Sequence, residues 1–342
     1  MVKVVALDKS FEGVARVSEG YYNTASLPEL DRIWFGLFKP SKSLRERQAA
    51  FAKHKSTIVT LKPIFKEIIL ERNKMAVKKG YQNYFEFITS YNGLTNEQLE
   101  LFFKRVDKFI EDLNKKLPHS KPTWYWSKYG VPDVLTFDST KPLDEKEYSV
   151  ESLCQKIKKR KLKIAEVIPR IEIKELKFFP KSTGRYPKAV FDWKKKSVTI
   201  FVILKKVTAY SVRSFFHELA HASTDLELLD KGVRPNTKSR CWREYEAIKV
   251  QLKLQRIFLP SDVRDVIEAG HLRALLTTLF EYEIYNHPDD DFDQTYAKVI
   301  NRCFLKAHQT RNPFYVIDYY LINRPCSAVN ASVALVELEA KI

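Results

Sequence analysis

The sequence contains little glycine and little cysteine for its length. Among 342 residues there are 9 glycines and 4 cysteines. No two cysteines form a C-x-x-C pair, so neither a disulfide framework nor a cysteine-based structural zinc site is predicted. No stretch rich in Gly, Ser or Pro divides the chain in the way that a flexible linker would, which argues against flexibly joined domains. The four cysteines are Cys154, Cys241, Cys303 and Cys326.

Long apolar runs are also missing. No stretch approaches the roughly 18 uncharged apolar residues that a membrane-spanning helix needs, and the N-terminus lacks the apolar run of a signal peptide. The scattered cysteines agree with a reducing compartment. We therefore expect a cytoplasmic protein that does not associate with membranes.

Basic residues are abundant and unevenly distributed. The formal net charge is +17, and residues 151–210 hold 17 Lys and Arg against 5 Asp and Glu. Such a segment is usually a solvated face, but it could also bind nucleic acid. No DNA- or RNA-binding motif accompanies it, so nucleic acid is kept as an alternative partner only.

Hydrophobic periodicity predicts a mostly α-helical fold with a small β-sheet. Apolar residues recur at helical spacing over 43–116, with Gly80 and Gly93 as breakers, and again over 240–342. Residues 188–204 instead predict a β-hairpin around a Lys-rich turn. We expect an N-terminal helical lobe over 1–150 and a catalytic region over 151–342, packed as one compact unit, with Ser211 as the N-cap of the helix that follows the hairpin.

That helix carries SFFHELAHAS at 214–223, an H-E-x-x-H pattern formed by His217, Glu218 and His221. The two imidazoles lie about 6 Å apart on one helix face, which suits one zinc ion. The apolar flanking residues predict a buried helix, in which two histidines and a glutamate need partners. Glu218 is placed to act as general base toward a water molecule that the metal activates.

A catalytic zinc needs a third protein ligand. No histidine follows at the spacing of the longer H-E-x-x-H-x-x-G-x-x-H motif, so carboxylates are the candidates. Asp225 and Glu227 are too close in sequence to return easily to the metal. Residues 240–255 predict a second helix that carries Glu244 and Glu246, and an antiparallel packing would bring one of them to the ion.

Two further stretches resemble the oligoendopeptidase F and thimet oligopeptidase family of zinc metallopeptidases. YEAIKVQL, at 245–252, is similar to the family segment E-[AL]-P-S, whose glutamate is the third ligand. HQTRNPFYVIDYYL, at 308–321, is similar to H-I-x-x-x-P-F-Y-Y-I-D-Y. Weaker similarities at 45–50, 71–87 and 134–143 extend the likeness to about residues 43–342.

The resemblance implies a zincin-like fold and one zinc ion per chain. It places the third ligand at Glu246, and it makes His308, together with Tyr315 or Tyr319, the groups that stabilise the oxyanion. Pro and Ser of the family's third-ligand segment are absent here, and Ala220 replaces a glycine of the first motif. The N-terminal lobe is expected to be shorter than in full-length relatives, which would open the cleft or leave it to be completed by a second subunit.

The predicted function is zinc-dependent hydrolysis of peptide bonds in oligopeptides. Two alternatives stay open. One is a zincin-like protein associated with nucleic acid, as in antirestriction proteins. The other is a metal-binding protein with weak or no peptidase activity.

Overall fold

The computed structural model describes residues 62–63, 65–115, 143–175, 188–202, 207–269 and 271–303. His308, Tyr315, Tyr319 and Cys326 lie outside these residues. The chain divides into two compact units that do not follow the order of the sequence. Described residues of 65–115 and 272–303 belong to the first unit, and those of 143–271 belong to the second.

The described elements are mainly helices, and mostly longer than two turns. In chain order they are α1 (65–78), α2 (Tyr84–Tyr91), α3 (Asn96–Asn114), α4 (Glu145–Tyr148), α5 (Val150–Lys159), α6 (Ala209–Asp230), α7 (Arg240–Phe258), α8 (Ser261–Ala269), α9 (His271–Asn286) and α10 (Phe292–Cys303). Three strands precede α6, namely β1 (Ile171–Glu175), β2 (Lys188–Asp192) and β3 (Ser197–Val202). The prediction of a mostly helical protein with a small sheet is confirmed.

In the first unit, turns between helices form where the sequence offers glycine. Gly80 and Gly93 have φ of 87° and 85°, a left-handed conformation that costs glycine little and other residues more. Thr95 then starts α3 with a reciprocal capping box to Gln98. These observations agree with the predicted breakers and helices over this part of the chain.

The same unit contains a buried polar group in its core. Arg72 on α1 is 4% exposed and donates to the Tyr285 hydroxyl at 2.8 Å. Its guanidinium also lies over the Tyr84 ring, 5.2 Å from the centroid. Burial of a cation requires such partners, and they connect α1, α2 and α9 within this unit.

In the second unit, the three strands form a sheet in the order β1–β3–β2. β1 runs parallel and β2 antiparallel to β3, with Ile173 and Ala189 both opposite Ile200. Along β3, Val198, Ile200 and Val202 alternate with half-buried residues and point into the core. The predicted β-hairpin is confirmed, and β2 pairs only with β3 among the described strands.

Helix α6 passes through the core of this unit beside the sheet. Phe215, Phe216, Leu219 and Ala222 are fully buried and belong to one hydrophobic cluster with β3. Each large apolar side chain that leaves water contributes about 1.5–3 kcal/mol, so the helix has a fixed rotation about its own axis. The two histidines therefore have fixed directions as well.

The ends of α6 have defined caps. Thr208, and not Ser211 as expected, is the N-cap, and Ser211 closes its capping box from the third helical position. The predicted N-terminus of α6 was therefore three residues late. The side chains of Thr208 and Ser211 accept hydrogen bonds from backbone N–H groups at the start of the helix, which have no partner within it, and this happens one turn earlier than expected. At the other end, Gly232 has a φ of 73° and follows the last turn. No helix among the described residues has the length and apolarity needed to cross a bilayer.

Candidate metal and catalytic site

His217 and His221 lie four residues apart on α6 and present their Nε2 atoms to each other. The Nε2–Nε2 distance is 3.1 Å, and the rings are nearly perpendicular, with centroids 4.6 Å apart. Residues four apart share one helix face. The predicted pairing of the two imidazoles is therefore present in the structure.

The carboxylate next to these imidazoles is that of Glu244, on α7. Its Oε2 lies 3.3 Å from His217 Nε2 and 3.5 Å from His221 Nε2. The three side chains are largely buried, with exposed fractions of 25%, 11% and 19% in the order His217, His221, Glu244. Within the part of the chain that the structure describes, this is the one cluster of three His, Cys, Asp or Glu whose ligand atoms all lie within 4.8 Å.

Glu246, the residue that the resemblance selected as third ligand, is not a member of this cluster. The physical reason is the phase of α7. Two residues along a helix correspond to a rotation of about 200°, so Glu244 and Glu246 point to nearly opposite sides. The side of α7 that meets α6 is the one with Glu244, and the geometry thus supports Glu244 as the third candidate ligand.

Helices α6 and α7 pack antiparallel, as expected. As residue numbers rise along α6, the numbers of the contacting residues on α7 fall. His217 contacts Gln251, His221 contacts Glu244, and Asp225 contacts Arg243. Gln251 Oε1 lies 2.9 Å from His217 Nδ1, and Arg243 Nη2 lies 2.8 Å from Asp225 Oδ2. The cluster is therefore held between two additional polar contacts that join the same two helices.

Electrostatics inside the cluster favour ionised Glu244. Burial acts against its negative charge, but hydrogen bonds and charge interactions with His217 and His221 in their protonated form outweigh burial and hold the pKa of Glu244 well below its usual range. Burial likewise opposes protonation of His217, yet Glu244 raises the pKa of His217 overall. The site is thus a negatively charged carboxylate facing two imidazoles, a suitable environment for a cation.

Glu218 lies beside this cluster in a different environment. It is 7% exposed, and burial raises the pKa of Glu218 despite the opposing effect of both histidines. Its carboxylate accepts a hydrogen bond from the backbone N–H of Ala189, which places β2 next to it. Glu218 is therefore a buried carboxylate that lies beside both the candidate ligands and a strand of the sheet.

The three donors fit a zinc ion in both chemistry and spacing. Two imidazole nitrogens and one carboxylate oxygen are a ligand set found in catalytic zinc sites. With zinc–ligand distances of about 2.0–2.1 Å, the edges of a coordination tetrahedron are about 3.3 Å. The observed separations of 3.1, 3.3 and 3.5 Å match that value.

Three residues at or beside the cluster were not predicted in the roles that they have in the structure, namely Asp225, Arg243 and Gln251. Asp225 was considered only as a ligand, and in the structure it binds Arg243 instead. Gln251 received no role, although it lies seven residues after Glu244 and so on the same face of α7. That spacing was the available signal. His308, Tyr315 and Tyr319 lie outside the described residues, and their assignment to the oxyanion remains a prediction.

Comparison with solved structures gives the class of fold. The chain resembles PZ peptidase A with inhibitor 2, at 14% identity and a TM-score of 0.61, over 94% of this chain and 64% of that one. A protein assigned as oligoendopeptidase F matches at 13% identity and a TM-score of 0.59, over 94% and 63%. A second protein assigned as oligoendopeptidase F, from Bacillus anthracis str. Ames, matches at 15% identity and a TM-score of 0.54. This match covers 87% of this chain and 58% of that one.

These similarities establish that the chain shares the fold of these peptidase structures, mostly helical with a small sheet, as the sequence predicted. The chain spans less than two thirds of each of the three solved proteins. No model of a protein family matches the chain, and no curated protein matches it significantly. At 13–15% identity the likeness concerns the fold.

Proposed function

We propose that this protein is a zinc-dependent peptidase that cleaves oligopeptides. The observation that supports the proposal best is the buried group of His217, His221 and Glu244, with Glu218 beside it. A random H-E-x-x-H match does not require a carboxylate from another helix at ligand distance from both imidazoles. The peptidase fold of the solved relatives agrees with this reading.

Within this proposal, His217, His221 and Glu244 hold one zinc ion. When bound, zinc would supply a Lewis acid that acidifies water and polarises the scissile carbonyl. Glu218 removes the proton from the attacking water and then donates it to the leaving nitrogen. The raised pKa of Glu218 suits this exchange, because a less acidic carboxyl group takes a proton from water more readily.

β2 would bind the peptide as an added strand. Among the described strands it has one partner, β3, and its Ala189 amide donates to Glu218, which supports a position of this strand beside the proposed general base. Backbone hydrogen bonds to an extended peptide give affinity with little dependence on sequence. His308 and the tyrosines Tyr315 and Tyr319 are proposed, from the resemblance alone, to stabilise the oxyanion.

The test combines zinc content with hydrolysis of a mixed quenched-fluorescent peptide library. We expect about one zinc per chain and, in Glu218→Gln, a loss of turnover of roughly 10²–10⁴-fold with zinc retained. Glu246→Gln is the matched control, since it removes a carboxylate from α7 outside the cluster, and it should keep both properties. Wild-type protein that binds zinc but cleaves no peptide, or binds no zinc, would refute the peptidase assignment, and DNA affinity with a steep salt dependence would then support the nucleic-acid alternative.

A further inference from the structure

Gln251 is a buried polar side chain whose partner is one of the two histidines. It is 2% exposed, and its Oε1 lies 2.9 Å from His217 Nδ1. An amide oxygen can only accept a hydrogen bond. With the amide oxygen facing the ring, His217 donates from Nδ1, and a neutral ring then keeps its lone pair on Nε2.

The Nε2 of that ring is the atom that faces the rest of the cluster. It lies 3.1 Å from His221 Nε2 and 3.3 Å from Glu244 Oε2. Gln251 and Glu244 are seven residues apart on α7, so one helix face contacts both nitrogens of the same imidazole. A rotation of the ring would break the Gln251 contact and leave a buried polar atom unpaired.

We propose that Gln251 is a positioning residue that fixes His217 as the Nδ1–H tautomer and directs the Nε2 lone pair into the candidate metal site. The metal part of this inference rests on the proposed function. The tautomer part does not, because it concerns the protein without metal. Residues that orient a ligating histidine typically change metal affinity by about 10–100-fold when they are replaced.

The sequence offers a closely matched control on the same helix. Gln255 follows one turn later on α7 and is also 2% exposed. Within the described residues, its buried Nε2 has no hydrogen-bond partner. Gln255→Met therefore removes a buried amide of the same kind without touching His217.

The experiment compares four full-length proteins: wild type, Gln251→Met, Gln251→Glu and Gln255→Met. Methionine keeps the approximate length of glutamine and removes the acceptor, whereas glutamate keeps an acceptor oxygen at the same place. Nitrogen-15 NMR of the imidazoles in metal-free protein, at a pH where they are neutral, reports the tautomer of His217. Competition with a chromophoric chelator reports the zinc dissociation constant.

We expect the Nδ1–H tautomer in wild type, Gln251→Glu and Gln255→Met, and a mixed or Nε2–H tautomer in Gln251→Met. Zinc should bind Gln251→Met about 10–100-fold more weakly and the other two variants as tightly as wild type, or more tightly in the case of Gln251→Glu. An Nε2–H tautomer in wild type overturns the inference even if a variant fails to fold. An unchanged tautomer or unchanged zinc affinity in folded Gln251→Met overturns it as well.

Failure of the proposed function gives a different result. If wild-type protein binds no zinc, the metal site is rejected and the positioning role is rejected with it. The NMR measurement then still decides, independently, whether Gln251 sets the tautomer of His217.

Discussion

Arg243 binds Asp225 through a single nitrogen that donates to both carboxylate oxygens, at 3.1 and 2.8 Å. The carboxylate side chain is 1% exposed and the guanidinium 28%. Burial raises the pKa of Asp225, although Arg243 and His221 act in the opposite direction. Because Arg243 precedes Glu244 directly, this ion pair fixes α7 against α6 at the point where the third candidate ligand leaves the helix.

Removal of Arg243 alone should therefore be strongly destabilising. Arg243→Met leaves Asp225 as a buried charge without its cation, and we expect the free energy of unfolding to fall by about 3–5 kcal/mol. Urea denaturation of the metal-free protein measures this change. Zinc affinity should fall too, since Glu244 loses its anchor.

The double variant Asp225→Leu, Arg243→Met separates charge from packing. A buried ion pair can often be replaced by apolar residues at little cost, so most of the stability lost in Arg243→Met should return. A double variant as unstable as the single one would show that the shape of the pair, rather than its charge, holds the two helices together.

Glu244 and Glu246 form a natural pair for testing the metal ligands. Glu244→Ala should weaken zinc binding by more than the roughly 10–100-fold typical of an outer-shell residue, because it removes a carboxylate that faces both imidazoles. Glu246→Ala should leave zinc affinity as it is in wild type. Chelator competition measures both, and the reverse pattern would return the third-ligand role to Glu246.

Much of the fold could be predicted from the sequence because its signals are local. The period-2 pattern of β3, the glycines that end helices and the H-E-x-x-H spacing each depend on neighbouring residues, and each is present in the structure. The parallel pairing of β1 with β3 was not predicted, since a short strand far from its partner carries no local signal of pairing.

The third candidate ligand could not be predicted from local sequence signals. Choosing between Glu244 and Glu246 requires the rotation of α7 relative to α6, and that rotation depends on tertiary contacts such as Asp225–Arg243 and His217–Gln251. The resemblance YEAIKVQL favoured Glu246, but a motif without its Pro and Ser determines helix phase poorly. Ala247 and Gln251 are buried and follow Glu244 by three and seven residues. They therefore lie on the same face of α7 as Glu244, and the sequence pattern alone did not identify this face as the one that packs against α6.

Substitution of Gly232 should change the stability of the protein without changing its zinc affinity. It ends α6 at a φ of 73°, and an added Cβ would meet no atom within 4 Å. Gly232→Ala should thus cost only the backbone strain of a left-handed residue, about 1–2 kcal/mol, and Gly232→Asn should cost less. Thermal unfolding measures the loss, and zinc affinity should stay unchanged in both variants, since the glycine lies eleven residues beyond His221.

Glu218 should lower the stability of the metal-free protein at neutral pH. Burial raises the pKa of Glu218 above its unfolded value, so the native state binds more protons than the unfolded state between these two pKa values. Stability therefore decreases as pH rises through that window. Glu218→Gln carries no such charge and should be more stable than wild type at neutral pH.

The pH dependence of that difference identifies its cause. Urea midpoints of wild type and Glu218→Gln, both measured in a metal chelator, should converge as the pH falls below the unfolded pKa of a glutamate, about 4.3, where the wild-type carboxyl is protonated in both states. A constant difference at every pH would assign the effect to packing. A less stable Glu218→Gln at neutral pH would show that the Ala189 amide and the two histidines stabilise the ionised carboxylate by more than burial opposes it.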